Sequence, residues 1–87
     1  MRYIKKMNTS QEIKIKVQNI FERIFKKKIN KFQKLEFNKT KNWDSLKHIQ
    51  LIVSLEKEFK IKIATSEVEK LTSYEKIIKY HKINALS

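Results

Sequence analysis

Ser45 follows Asp44 directly and precedes His48 by three residues, and no other spacing in the chain invites chemistry as strongly. A hydroxyl, a carboxylate and an imidazole one helical turn away are parts of a nucleophilic site. They do not complete one. A triad also needs an acid that orients the base and donors that hold an oxyanion. Nothing in the sequence supplies Ser45 with an adjacent base, so it is a weak nucleophile that another protein must activate. His48 is therefore expected to pack or to face solvent. Metal chemistry is no better served. There is no cysteine, and His48 and His81 are the only histidines, so a site would have to borrow carboxylates. Glu67 and Glu69 read as acids in the first turn of a helix, where its dipole favours them, and not as ligands. The chain also lacks glycine altogether. Walker loops, dinucleotide fingerprints and nucleophile elbows each need glycine for positive φ or close approach to phosphate, so all three are excluded. No catalytic residue is expected, and the chain is not read as an enzyme.

The elements that must position Ser45 are helical. Eighty-seven residues allow one domain around one core. Thr9-Ser10-Gln11-Glu12 has the form of a capping box, followed by Ile13, Val17, Ile20, Phe21 and Ile24 at helical spacing. Lys26 to Lys28 suit a C-terminal turn, where cations oppose the dipole. Residues 30–43 show no period and read as an ordered loop pinned by Phe32, Leu35 and Phe37. A second helix is expected from Ser45 to Phe59. Its apolar side chains span roughly 220°, about twice the stripe of an ordinary surface helix. Leu51, Ile52, Leu55 and Phe59 form one part, and Leu46, Ile49 and Val53 another. The second part either touches a further neighbour or is exposed for a partner or a hydrophobic cargo, and the period does not choose between these. Ile61 and Ile63 belong to an extended connection, Thr65–Glu69 to a short helix, and Thr72-Ser73-Tyr74-Glu75 to a second capping box. That box opens a last helix with Tyr74, Ile77, Ile78 and His81 on one face. The expected fold is all-α, a small four-helix bundle of three main helices and one short one, spanning residues 9–84. Residues 1–8 and 85–87 are expected to be tails. Without glycine or proline, the turns must use Asn, Lys and Ser.

The formal charge of +12 suggests a polyanion partner, but a simpler cause accounts for it. Nineteen of the 21 basic residues are lysine, and Lys, Ile and Asn together supply 38 of the 87 residues. These residues have A/T-rich codons, whereas the scarce Gly, Pro, Ala and Arg have G/C-rich ones. The charge is uneven as well: residues 1–42 carry a net +10 and residues 43–87 a net +2. A site in the second half works in a nearly balanced field, and no nucleic-acid partner is expected. No segment approaches the length of a membrane span. Met1–Asn8 is basic but has no apolar run behind it, so it is not a signal peptide. Met7 is an alternative start, which a native mass beginning at Met1 would exclude. A cytoplasmic monomer is the expectation.

Residues 43–82, WDSLKHIQLIVSLEKEFKIKIATSEVEKLTSYEKIIKYHK, resemble the second half of an acyl carrier protein. Asp44-Ser45-Leu46 at a helix head resembles the attachment motif of that family. Leu55, Glu56 and Phe59, then Ile61 and Ile63, the short acidic helix, Leu71-Thr72-Ser73 and a closing helix follow in the family's order. The first helix and long loop extend the likeness to nearly the whole chain. The resemblance implies a non-catalytic carrier whose cofactor, 4′-phosphopantetheine, is moved from coenzyme A onto Ser45 by a phosphopantetheinyl transferase. The thiol of that arm would hold a fatty acyl, aminoacyl or specialised acyl group as a thioester for loading, elongating or transferring enzymes. Asp44 would help the transferase find the site, and Leu46 would flank the arm. Lys47, Ile49, Gln50, Val53, Glu56 and Lys57 would form the partner face. Independently of the resemblance, an exposed helix start favours an anion such as a phosphodiester, and Asp44 is a good cap. The likeness is imperfect: Lys47, Gln50 and Lys57 stand where the family often has acids, and Asn42 or Lys47 replaces a small residue near the motif. This points to a dedicated pathway with a less basic partner surface. Two other classes stand beside the carrier: a small basic nucleic-acid-binding helical domain, and a carrier-like interaction module that is never modified.

Overall fold

The computed structural model describes residues 10–86, so the expected tail at 1–8 and the expected cap Thr9 lie outside the described residues. Among the described residues four α-helices are formed: α1 (Ser10–Phe25), α2 (Ser45–Phe59), α3 (Thr65–Val68) and α4 (Tyr74–Leu86), with one 3₁₀ turn at Phe32–Lys34. Three are main helices and α3 is a single turn, as the sequence leads one to expect. Among the described residues there is no strand, only an isolated antiparallel bridge between Glu36 and Ser73. No helix among them is long and apolar enough to cross a membrane.

Helix α1 buries its whole apolar stripe, Ile13, Val17, Ile20, Phe21 and Ile24, together with Phe25. It packs against both α2 and α4, so removing this surface from water is the main force assembling the bundle. Its end is set by Lys26, at φ 57°, which lets the Lys27 N–H return to the Glu22 carbonyl at 3.3 Å. Helix α2 ends in the same way. Lys60 sits at φ 56° and the Ile61 N–H reaches Glu56 O at 3.2 Å. Such closures normally use glycine. Here lysine takes the left-handed conformation at roughly 1–2 kcal/mol each, and Asn38 and Asn42 do the same inside the loop, where asparagine tolerates it better.

The long loop is pinned as expected. Phe32 and Leu35 are buried and Phe37 is half-buried, and Trp43 is more deeply buried than any of them. Phe21 is the hub, with Trp43, Tyr74, Phe25 and Phe32 rings all centred 5.3–6.4 Å away. The loop backbone is tied to the start of α4 by Phe37 N–H to Thr72 O at 2.8 Å and Tyr74 N–H to Leu35 O at 3.3 Å.

Two local expectations shift. The cap of α4 is Ser73, whose Oγ accepts the Lys76 N–H at 3.1 Å, not Thr72, so the box with Glu75 does not form. Thr72 is held in the extended segment by Phe37, which moves the helix start one residue on. Helix α4 also continues to Leu86, past the boundary expected at 84. Its face of Tyr74, Ile77, Ile78 and His81 is buried as expected.

Candidate functional site

The candidate site is the head of α2 and the turn that delivers the chain to it. Thr40 O accepts the Trp43 N–H at 3.1 Å, Trp43 O accepts the Asn38 N–H at 3.1 Å, and Asn42 at φ 73° turns the backbone between them. The indole of Trp43 is buried against Phe21 and Phe25, with ring centres 5.3 and 6.2 Å away. Trp43 is therefore the anchor of the turn, as its position beside the motif suggests. Asp44 follows in extended conformation, and its Oδ1 accepts the Lys47 N–H at 3.0 Å. Its own carbonyl receives the first helical bond, from His48 N–H at 2.9 Å. The expected cap is thus in place and α2 begins at Ser45.

Ser45 is exposed at the first position of this 15-residue helix. Since Asp44 occupies the Lys47 amide, the Ser45 and Leu46 amides are the first-turn donors left open to a ligand. The helix dipole adds partial positive charge at the same place. A phosphate ester on the Ser45 oxygen would meet both.

His48 does not act on Ser45. It is buried, and both ring nitrogens are engaged within the fold. Trp43 Nε1–H donates to its Nδ1 at 3.0 Å, so the ring proton resides on Nε2, which donates to the Val68 carbonyl at 2.9 Å. The ring also lies 5.1 Å from Phe37. This chain of bonds joins the turn before Ser45 to the end of α3. Helix α3 has no fully buried residue of its own; Val68 packs partly buried against the core, and the His48 bond adds a tie to its backbone. The sequence carries no signal for this arrangement, because the Val68 partner is a backbone oxygen twenty residues away.

The structure divides the expected partner residues into two groups. Leu46, Ile49, Gln50, Val53 and Lys57 recur at i, i+3, i+4, i+7 and i+11 and are all exposed. Leu46 is 65 %, Ile49 55 % and Val53 43 % exposed. The second apolar part of α2 is therefore not buried in the core and is presented outward. Lys47 and Glu56 are half-buried and serve the fold instead. The Lys47 ammonium donates to the Ile24 carbonyl at 3.3 Å, at the C-terminal end of α1. The Glu56 carboxylate accepts the Ile63 N–H at 2.9 Å, holding the connection to α3. Both therefore carry intramolecular hydrogen bonds in addition to the partner role expected of them. Their long side chains curl back because orphaned backbone groups lie within reach. Among the described residues no group of three or more His, Cys, Asp or Glu side chains can hold a metal ion. Glu67 lies in the first turn of α3 and Glu69 just past its end.

Compared with family models, curated proteins and solved structures, the chain finds no match.

Proposed function

We propose that this protein is an acyl carrier, holding an acyl or aminoacyl group as a thioester on a 4′-phosphopantetheine arm esterified to Ser45. The observation that carries the reading is the pairing of two features on one helix. An exposed serine sits at an aspartate-capped helix head with open amides, and beside it runs an outward face of Leu46, Ile49 and Val53. The residues fit the cofactor. The Ser45 hydroxyl is accessible, the first-turn amides can receive its phosphate, and no buried side chain would have to move. When bound, the arm would supply the thiol that this cysteine-free chain lacks. The chain's own residues would start the helix (Asp44), flank the arm (Leu46) and offer an apolar surface to partner enzymes (Ile49, Val53). Activation of the Ser45 hydroxyl falls to the transferase, because both His48 nitrogens are occupied. Gln50 and Lys57 on the outward face favour partners whose docking surface is apolar and not basic, in keeping with a dedicated pathway.

The test is the intact mass after incubation with coenzyme A and a broad-specificity phosphopantetheinyl transferase. Wild type should gain one phosphopantetheinyl group and Ser45→Ala none. Absence of the gain, under conditions that modify a control carrier, would overturn the reading in favour of an unmodified interaction module. Nucleic-acid affinity that falls steeply with salt and is indifferent to Ser45→Ala would favour a basic nucleic-acid-binding domain.

A further inference from the structure

A cleft of about 480 Å³ opens between α1, the 3₁₀ turn and α4, within the range of small-molecule sites. None of its lining residues is on α2, so it is separate from the Ser45 face. Its floor is apolar and aromatic. Phe32, Tyr74 and Ile78 are buried there, with the Phe32 and Tyr74 rings 5.3 Å apart and tilted by 39°. Its rim is cationic. Lys14 approaches from α1, Lys79 and Lys82 from α4. Glu75 is the one acid in the lining, and among the described residues no ion pair joins it to these lysines. A directional donor lies between floor and rim. Gln18 Nε2–H donates to the Tyr74 hydroxyl oxygen at 3.0 Å. The hydroxyl's own hydrogen has no acceptor among the described residues, although Tyr74 is only 7 % exposed.

An apolar floor, an O–H donor and three ammonium groups around one acid ask for a ligand with a flat apolar body and a single anionic head. We propose that this cleft binds a small aryl or arylalkyl carboxylate. The ring would lie on Phe32 and Ile78, and the carboxylate would accept from Tyr74 O–H and face Lys79 and Lys82. Phe32 and Tyr74 disfavour a hydrated inorganic anion, which would gain nothing from the floor. The cleft is built from α1 and α4, so the proposal stands whether or not Ser45 is modified.

The probe is 4-phenylbutyrate, titrated into the full ¹⁵N-labelled chain, with neutral 4-phenylbutan-1-ol as its control. Saturable amide shifts are expected at Gln18, Gln33 and Tyr74. Affinity should weaken about fivefold for the alcohol and for the Lys79→Gln/Lys82→Gln double variant, as expected for losing partly screened charges. Lys79 is exposed and Lys82 half-exposed, so the variant keeps its core, and its amide spectrum verifies that. Equal affinity for acid and alcohol, shifts centred on Leu46, Ile49 and Val53, or no saturable shifts would each overturn the proposal.

Discussion

His81 makes the stability of this bundle depend on mild acidity. The ring is 2 % exposed and stacks on Phe59 with centroids 4.1 Å apart. The edge of Tyr80 lies beside it at 5.3 Å. Its Nε2 has no hydrogen-bond partner among the described residues. Burial without a compensating charge disfavours the imidazolium and lowers the group from 6.5 to about 4. The folded protein therefore keeps His81 neutral, while the unfolded chain takes up a proton near pH 6.5. Between these values the unfolded state binds more protons, so stability falls as pH falls; above the upper value His81 adds no slope. At about 1.4 kcal/mol per unit, the full effect is about 3.5 kcal/mol, and about 2 kcal/mol of it is lost between roughly pH 7 and 5. That is a substantial share of the roughly 4–13 kcal/mol expected for a domain of this size. Urea unfolding followed by the fluorescence of buried Trp43, the sole tryptophan, measures it. His81→Phe and His81→Leu keep an apolar side chain over Phe59 and remove the titration. Each variant should gain about 2 kcal/mol relative to wild type between about pH 7 and 5. A wild-type-to-variant difference that stays constant over this window would refute the reasoning, as would a folded-state His81 that titrates near its ordinary value.

Other expectations concern the site and its supports. Asp44→Ala removes the cap on Lys47 N–H and should cost about 1 kcal/mol, read as a lower urea midpoint, while Ser45 remains exposed. His48→Leu leaves the Trp43 indole N–H and the Val68 carbonyl without their partner. It should cost roughly 1–3 kcal/mol and should speed amide exchange in the α3 segment more than in α1. Lys60→Gly relieves a left-handed lysine, and after the extra entropy of the unfolded glycine it should be neutral to stabilising by about 1 kcal/mol; a fall in urea midpoint would refute this. Val53→Asp places a charge on an exposed position. It should leave stability within about 0.5 kcal/mol and, on the carrier reading, slow transfer to partner enzymes without preventing modification of Ser45.

Local chemistry made much of the molecule legible in the sequence. The α2 bounds follow from Asp44, which can accept an amide bond, and from the apolar period that ends at Phe59. The α1 stripe and the α4 face of Tyr74, Ile77, Ile78 and His81 are repeats of 3.6 residues that can be buried only one way. The absence of Gly and Pro led to turns expected on Asn, Lys and Ser; among the described residues Lys26, Asn38, Asn42 and Lys60 take the left-handed positions, and no Ser does. Tertiary structure decided whatever depended on a distant partner. The α4 cap moved from Thr72 to Ser73 because Phe37 claims the Thr72 carbonyl. Lys47 and Glu56 are half-buried and hydrogen-bonded within the chain because Ile24 O and Ile63 N–H lay within reach. His48 became a buried link because Trp43 and Val68 flank it. The two apolar parts of α2 are equal in period. Only the placement of α1 determined that Leu51, Ile52 and Leu55 are buried while Leu46, Ile49 and Val53 face outward. A helix period states how many apolar residues share a face, but which face meets a neighbour is a property of the packed bundle.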